Sequence, residues 1–140
     1  MIINKINKRE EEIVEDFSLF DDWMSKYEYI IDLGKELEPL EEEYKTKENL
    51  VRGCQSQVWL HAFKNNNEII FKADSDALIT KGLVSLLVRV LSNNTPEDII
   101  QADLHFIDEI GLKEHLSPNR SNGLSSMIKT MKAYALAFSN

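Results

Sequence analysis

The chain of 140 residues holds one cysteine, three prolines and five glycines. No apolar run approaches the roughly 20 residues that a membrane-spanning helix needs. One cysteine excludes an internal disulfide, and without a C-x-x-C pair it excludes a cysteine-built zinc site. The phosphate-binding, dinucleotide-binding, calcium-loop and H-E-x-x-H signatures are absent, which leaves little support for a conventional hydrolase or oxidoreductase. His61, His105 and His115 lack the i, i+4 spacing of a helical metal pair and read as packed or surface residues, so no metal site is expected. Positive charge is scarce at one end. Residues 1–50 contain 15 acids and 7 bases, while residues 51–140 contain nine of each, so the whole net charge of −8 lies in the first third. Such a chain is repelled by phosphate backbones, which argues against nucleic-acid binding. The acidic stretch reads first as a solvated face, with a docking patch for a basic partner as the alternative. The opening "MIINKINKREEE" lacks the apolar core of a secretory signal, so a reducing cytoplasm is the expected address.

Hydrophobic residues make up 43% and charged residues 29%, enough to build a core without a staple. Neither repeats nor a low-complexity linker divide the chain, so one domain over residues 1–140 is expected. Ile6, Ile13, Phe17 and Phe20 predict an amphipathic helix over residues 6–20. Asp21 or Asp22 caps a second helix lined by Trp23, Tyr27, Ile30, Ile31 and Gly34, which Pro39 ends. Beyond the polar "EEEYKTKEN" the period becomes two: Ser56, Val58, Leu60 and Ala62 alternate with Gln57, Trp59, His61 and Phe63. A turn at Asn65–Asn67 and the strand "EIIFKA" complete a β-hairpin. Asp74-Ser75-Asp76 reads as a cap for the long buried helix "ALITKGLVSLLVRVLS", whose polar stripe is Lys81, Ser85 and Arg89. Thr95-Pro96-Glu97-Asp98 starts another helix, and "LHFID" is taken as a third short strand. Ser117-Pro118 or Ser121 opens the last helix, with Leu124, Ile128, Met131, Ala135 and Phe138 along one face. Strands grouped without βαβ alternation predict an α+β fold, a small antiparallel sheet of about three strands packed by helices.

Cys54 lies in "NLVRGCQSQVW", where loop becomes strand. A lone cysteine is commonly an inert buried residue. Here Gly53 leaves room for another molecule to approach the sulfur, and Arg52 is a nearby charge that would favour a thiolate. With no resolving partner, such a thiol cannot run a dithiol cycle but can hold one covalent adduct. From the residues alone, a packing thiol and a nucleophile both remain open.

The stretch "RGCQSQVWL" closely resembles the signature around the active cysteine of the SufE family, sulfur-acceptor proteins of iron–sulfur cluster biogenesis. "YIIDLGKEL", "ADSDALITKGL", "TPEDI" and "HLSPNRSNGL" resemble family counterparts in the same order, from about residue 12 to residue 138. The hairpin turn "KNNNE" is shorter than usual. The resemblance implies the α+β fold of the NifU/IscU-type scaffolds. It implies a carrier without a cofactor that takes persulfide sulfur onto Cys54 from a pyridoxal-phosphate-dependent cysteine desulfurase of SufS or CsdA type. Such a carrier stimulates the desulfurase and passes sulfur to a scaffold of SufBCD type, as a monomer or homodimer. Arg52, Gly53 and Gln55 of the motif, with Asp74, Asp76 and Arg120, are implied as supporting or partner-binding residues; N-capping by Asp74 and Asp76 and a surface charge at Arg120 are the plainer alternatives. Val58, Trp59 and the helix after Asp76 are expected to shelter the sulfur. Two other functions stand beside this one. An IscU-like cluster scaffold would need about three thiolates or an equivalent ligand set. A non-catalytic interaction module would use Cys54 only for packing.

Overall fold

The computed structural model describes residues 5–139; residues 1–4 and 140, which the expected unit includes, lie outside them. Helix α1 (Lys5–Phe17) buries Ile6, Ile13 and Phe17, while Phe20 falls in the turn beyond it. Helix α2 (Trp23–Lys35) begins where the Asp22 carboxylate accepts the Ser25 N–H at 2.8 Å, so Asp22 is the cap rather than Asp21. It ends before Pro39, and two short 3₁₀ turns, Glu42–Tyr44 and Lys47–Asn49, fill the polar loop.

Strands β1 (Val58–Asn65) and β2 (Glu68–Ser75) pair antiparallel from Val58↔Ser75 to Asn65↔Glu68. Asn66 turns the hairpin at φ 58°, a conformation asparagine tolerates better than most residues. Val58 and Leu60, on one side of the alternation read for β1, face the core, and Ile69, Phe71 and Ala73 of β2 join them. A bare two-stranded ribbon is marginal in water, and both edges here are partly covered. The Val51 N–H donates to the Val58 carbonyl at 2.8 Å on one edge. On the other, Ile69 exchanges hydrogen bonds with the Asn93–Asn94 segment at 2.8 and 2.9 Å.

These bridges stand where a third strand was expected. The "LHFID" segment is not a strand: Leu104 takes φ 57° and α5 (Phe106–Glu109) follows. Phe106 and Ile107 are both buried, which adjacent strand positions facing opposite sides of a half-covered sheet would not be. The Asp74-Ser75-Asp76 capping expectation also fails. Strand β2 continues through Ser75, and α3 (Leu78–Leu91) starts after Ala77 with no side-chain cap.

Helix α3 is the buried centre. Its polar stripe is satisfied by Lys81 on Asp74, Ser85 on the Leu33 carbonyl and Arg89 on Asp16 and Glu12. Against α2 the two backbones touch: a Cβ on Gly34 would lie 2.7 Å from the Gly82 nitrogen, and one on Gly82 would run into the Ile30 carbonyl. Thr95 caps α4 (Pro96–Gln101) by accepting from the Asp98 N–H. After α6 (Leu112–His115), Ser117 rather than Ser121 caps α7 (Pro118–Phe138). Helix α7 buries Leu124, Met127, Met131 and Ala135 in the hydrophobic cluster shared by α1, α3 and the hairpin. The architecture is α+β, with two strands instead of three. No described helix is long and apolar enough to cross a membrane.

Candidate functional site around Cys54

The loop 52–57 is pinned at both ends. Val51 is fixed to the edge of β1, and the Gln57 N–H donates to the Asp76 carboxylate at 3.0 Å while the Asp76 N–H donates to the Gln57 carbonyl at 3.2 Å. Between the pins, Gly53 adopts φ 92°, the left-handed region that favours glycine. Any side chain there would also collide with the Ser126 hydroxyl, so the loop lies directly on α7. Cys54 follows, half-buried, its thiol donating to the Gly123 carbonyl at 3.6 Å.

Gly123 sits inside α7, and its missing side chain opens space beside the sulfur. A Cβ there would stand 3.4 Å from Sγ. The resulting hollow of about 100 Å³ is lined by Cys54, Gln55, Ser56, Thr80, Leu83, Asn119, Arg120, Gly123 and Met127. A water occupies about 30 Å³ of liquid. The space has room for a small added group, such as one further sulfur.

Burial pushes the Cys54 thiol up from its ordinary value. The resting group is therefore a neutral thiol at neutral pH, contrary to the thiolate expected from Arg52. Arg52 is exposed, does not line the hollow and has no ion-pair partner among the described residues. The cation at the hollow is Arg120, in the first turn of α7, its guanidinium 6.0 Å from the Tyr27 ring centre.

The expected residues thus separate. Cys54, Gln55 and Arg120 share the hollow; Gly53 seats the loop and Asp76 ties its end. Asp74 lies apart, bound to Lys45 at 3.1 Å and Lys81 at 3.3 Å. Burial would raise its carboxyl, but the two lysines and the Ser75 N–H outweigh that and hold it below the usual carboxylate range. Of the expected shelter, Thr80 and Leu83 of α3 line the hollow, whereas Val58 is core and Trp59 carries Lys45 over its ring. Asn119, Gly123 and Met127 were not anticipated; a glycine inside a helical pattern was the available signal for the middle one. Among the described residues no group of three or more His, Cys, Asp or Glu could hold a metal ion.

The family model described as SufE, Fe-S metabolism associated domain, matches residues 11–135. The chain belongs to the SufE family. Its membership places it in iron–sulfur metabolism. The SufE-like protein 1 of Arabidopsis thaliana, described as chloroplastic/mitochondrial, is 41% identical over 135 residues, which are 96% of this chain and 36% of the plant protein. The chain therefore spans about a third of that relative's length. An uncharacterised SufE-like protein of Rhizobium meliloti (strain 1021) is 42% identical over 130 residues, covering 89% of this chain and 93% of the other. The solution structure of a hypothetical protein from Thermus thermophilus shares the fold with a TM-score of 0.76 at 18% identity, over 92% of this chain and 94% of that one.

Proposed function

We propose that this SufE-family chain is a covalent sulfur carrier rather than a turnover enzyme. Cys54 accepts the sulfane sulfur of a cysteine desulfurase's persulfide, stimulates that enzyme by clearing it, and relays the sulfur to a cluster scaffold of SufBCD type. The observation that carries this reading is the free space beside the chain's one thiol, left by Gly123 and lined by Thr80, Leu83 and Met127.

In the transfer, the Cys54 sulfur attacks the outer sulfur of the donor persulfide. A new S–S bond forms on Cys54 as the donor's S–S bond breaks. The bonding pair leaves with the donor cysteine, which takes up the proton Cys54 gives away, so no oxidant or reductant is consumed. Because burial keeps the resting thiol protonated, it is a poor nucleophile until a partner approaches, which limits loss to stray electrophiles. The added sulfur is retained in the hollow, where Arg120 is the one lining cation and supplies a counter-charge for the persulfide anion. A reducing cytoplasm suits the arrangement, since it keeps an unpaired thiol free.

The test is to incubate the chain with a cysteine desulfurase and cysteine, then measure its intact mass. A gain of one sulfur atom is expected, reversed by a thiol reductant and absent in Cys54→Ser. No gain, or a gain that persists in Cys54→Ser, overturns the proposal. A Cys54→Ala variant that still supports cluster assembly would return Cys54 to a packing role.

A further inference from the structure

Away from the hollow, one charged group among the described residues is fully buried. Glu10 of α1 has no exposed surface, and its Oε1 has no hydrogen-bond partner. Its Oε2 accepts the Phe106 N–H, the first of α5, at 3.1 Å and lies 3.5 Å from Nε2 of His105. The other ring nitrogen of His105, Nδ1, is 3.0 Å from the Glu109 carboxylate. The imidazole therefore stands between two carboxylates. A doubly protonated ring donates to Glu109 and sets a positive charge beside Glu10, whereas a neutral ring offers Glu10 no charge.

We propose that Glu10 and His105 form a pH-operated latch that holds α1 on α5 while the imidazole is protonated and loosens as the pH rises. When His105 loses its proton, the Glu10 carboxylate keeps one backbone N–H and no adjacent cation. A buried charge stripped of its partner is costly, and undocking α1 returns it to water. Asp103, before α5, and Glu11 and Glu109 add negative charge around the pair; Arg89 of α3 faces Glu12 and Asp16 and offers Glu10 nothing.

The directions agree. For His105, burial lowers the pKa but Glu109, Glu10 and Glu11 outweigh it, so its folded value is raised. The stabilisation it gives is complete below its unfolded value of about 6.5 and is lost as pH rises through the folded value. Burial raises Glu10 despite the opposing Phe106 N–H, the direction of a charge whose site meets it poorly. Residues 5–17 should therefore be held more firmly at pH 6 than at pH 8.5.

Hydrogen exchange followed by mass spectrometry tests this, with rates corrected for the intrinsic effect of pH. Protection of α1 is expected to fall at least threefold between pH 6 and 8.5 relative to α3 and α7 in the same molecules. His105→Gln should abolish that difference. Glu10→Gln, which still accepts from Phe106 but carries no charge, should leave α1 equally protected at both pH values. A uniform change across all helices, or a pH response that survives either substitution, overturns the proposal.

Discussion

A methyl group at position 123 would stand 3.4 Å from the Cys54 sulfur, an ordinary contact for the resting thiol but one that occupies the space a second sulfur needs. Gly123→Ala should therefore separate stability from function. Alanine inside a helix is favoured over glycine by about 0.5–1 kcal/mol, so thermal unfolding should hold or rise. Sulfur loading, followed as mass gain against time, should slow about tenfold, on the order of 1.4 kcal/mol of barrier. Equal loading would show that the sulfur goes elsewhere. At this scale the motif around Cys54 was legible as a family resemblance, while the cysteine's solitude pointed the other way, to an inert thiol. The thiol's electrostatics were not legible. Arg52 adjoins the thiol in sequence yet points to solvent, whereas Arg120, far along the chain, reaches the hollow because α7 lies against the loop.

Asp76 shows how one element disciplines another. Its carboxylate and its N–H hold both polar groups of the Gln57 backbone, so the link between β2 and α3 sets where the cysteine loop joins β1. Asp76→Ala leaves the exposed Gln57 N–H to water, so the stability cost should be no more than about 1 kcal/mol. It should also raise the rate at which iodoacetamide modifies Cys54, since the loop gains freedom. An unchanged rate would mean that Gly53 seated on Ser126 is enough to fix it. Helix periods and proline or hydroxyl caps were readable from sequence because they are local. The supposed third strand was misread because Phe106 and Ile107 are both buried in a short helix, which a period-two pattern cannot describe. The aspartates before α3 carry cap chemistry, but β2 runs too far for them to use it.

Over the whole molecule, acid should act through Asp74. Its carboxylate joins Lys45 of the polar loop, Lys81 of α3 and its own strand, tying three parts of the fold. With its folded value depressed, the stability it gives is present above about 3.9 and lost as pH falls through the folded value. Urea midpoints measured from pH 7 to pH 3 should fall for the parent, and Asp74→Asn should start lower and fall less. Parallel curves would remove Asp74 from the acid response. The α+β class followed from element order alone. The partial cover of both sheet edges by isolated bridges did not, because no local pattern marks a single pair of residues as partners.

The contact between Gly34 and Gly82 has one more consequence. Two helices whose main chains touch have no side-chain layer to slide on, so α2 and α3 should behave as one plate. Such a plate is a natural frame of reference for measurement. Probes placed on its solvent side would keep a constant separation from each other, and any change in their distance to Cys54 would belong to the loop or to α7 alone.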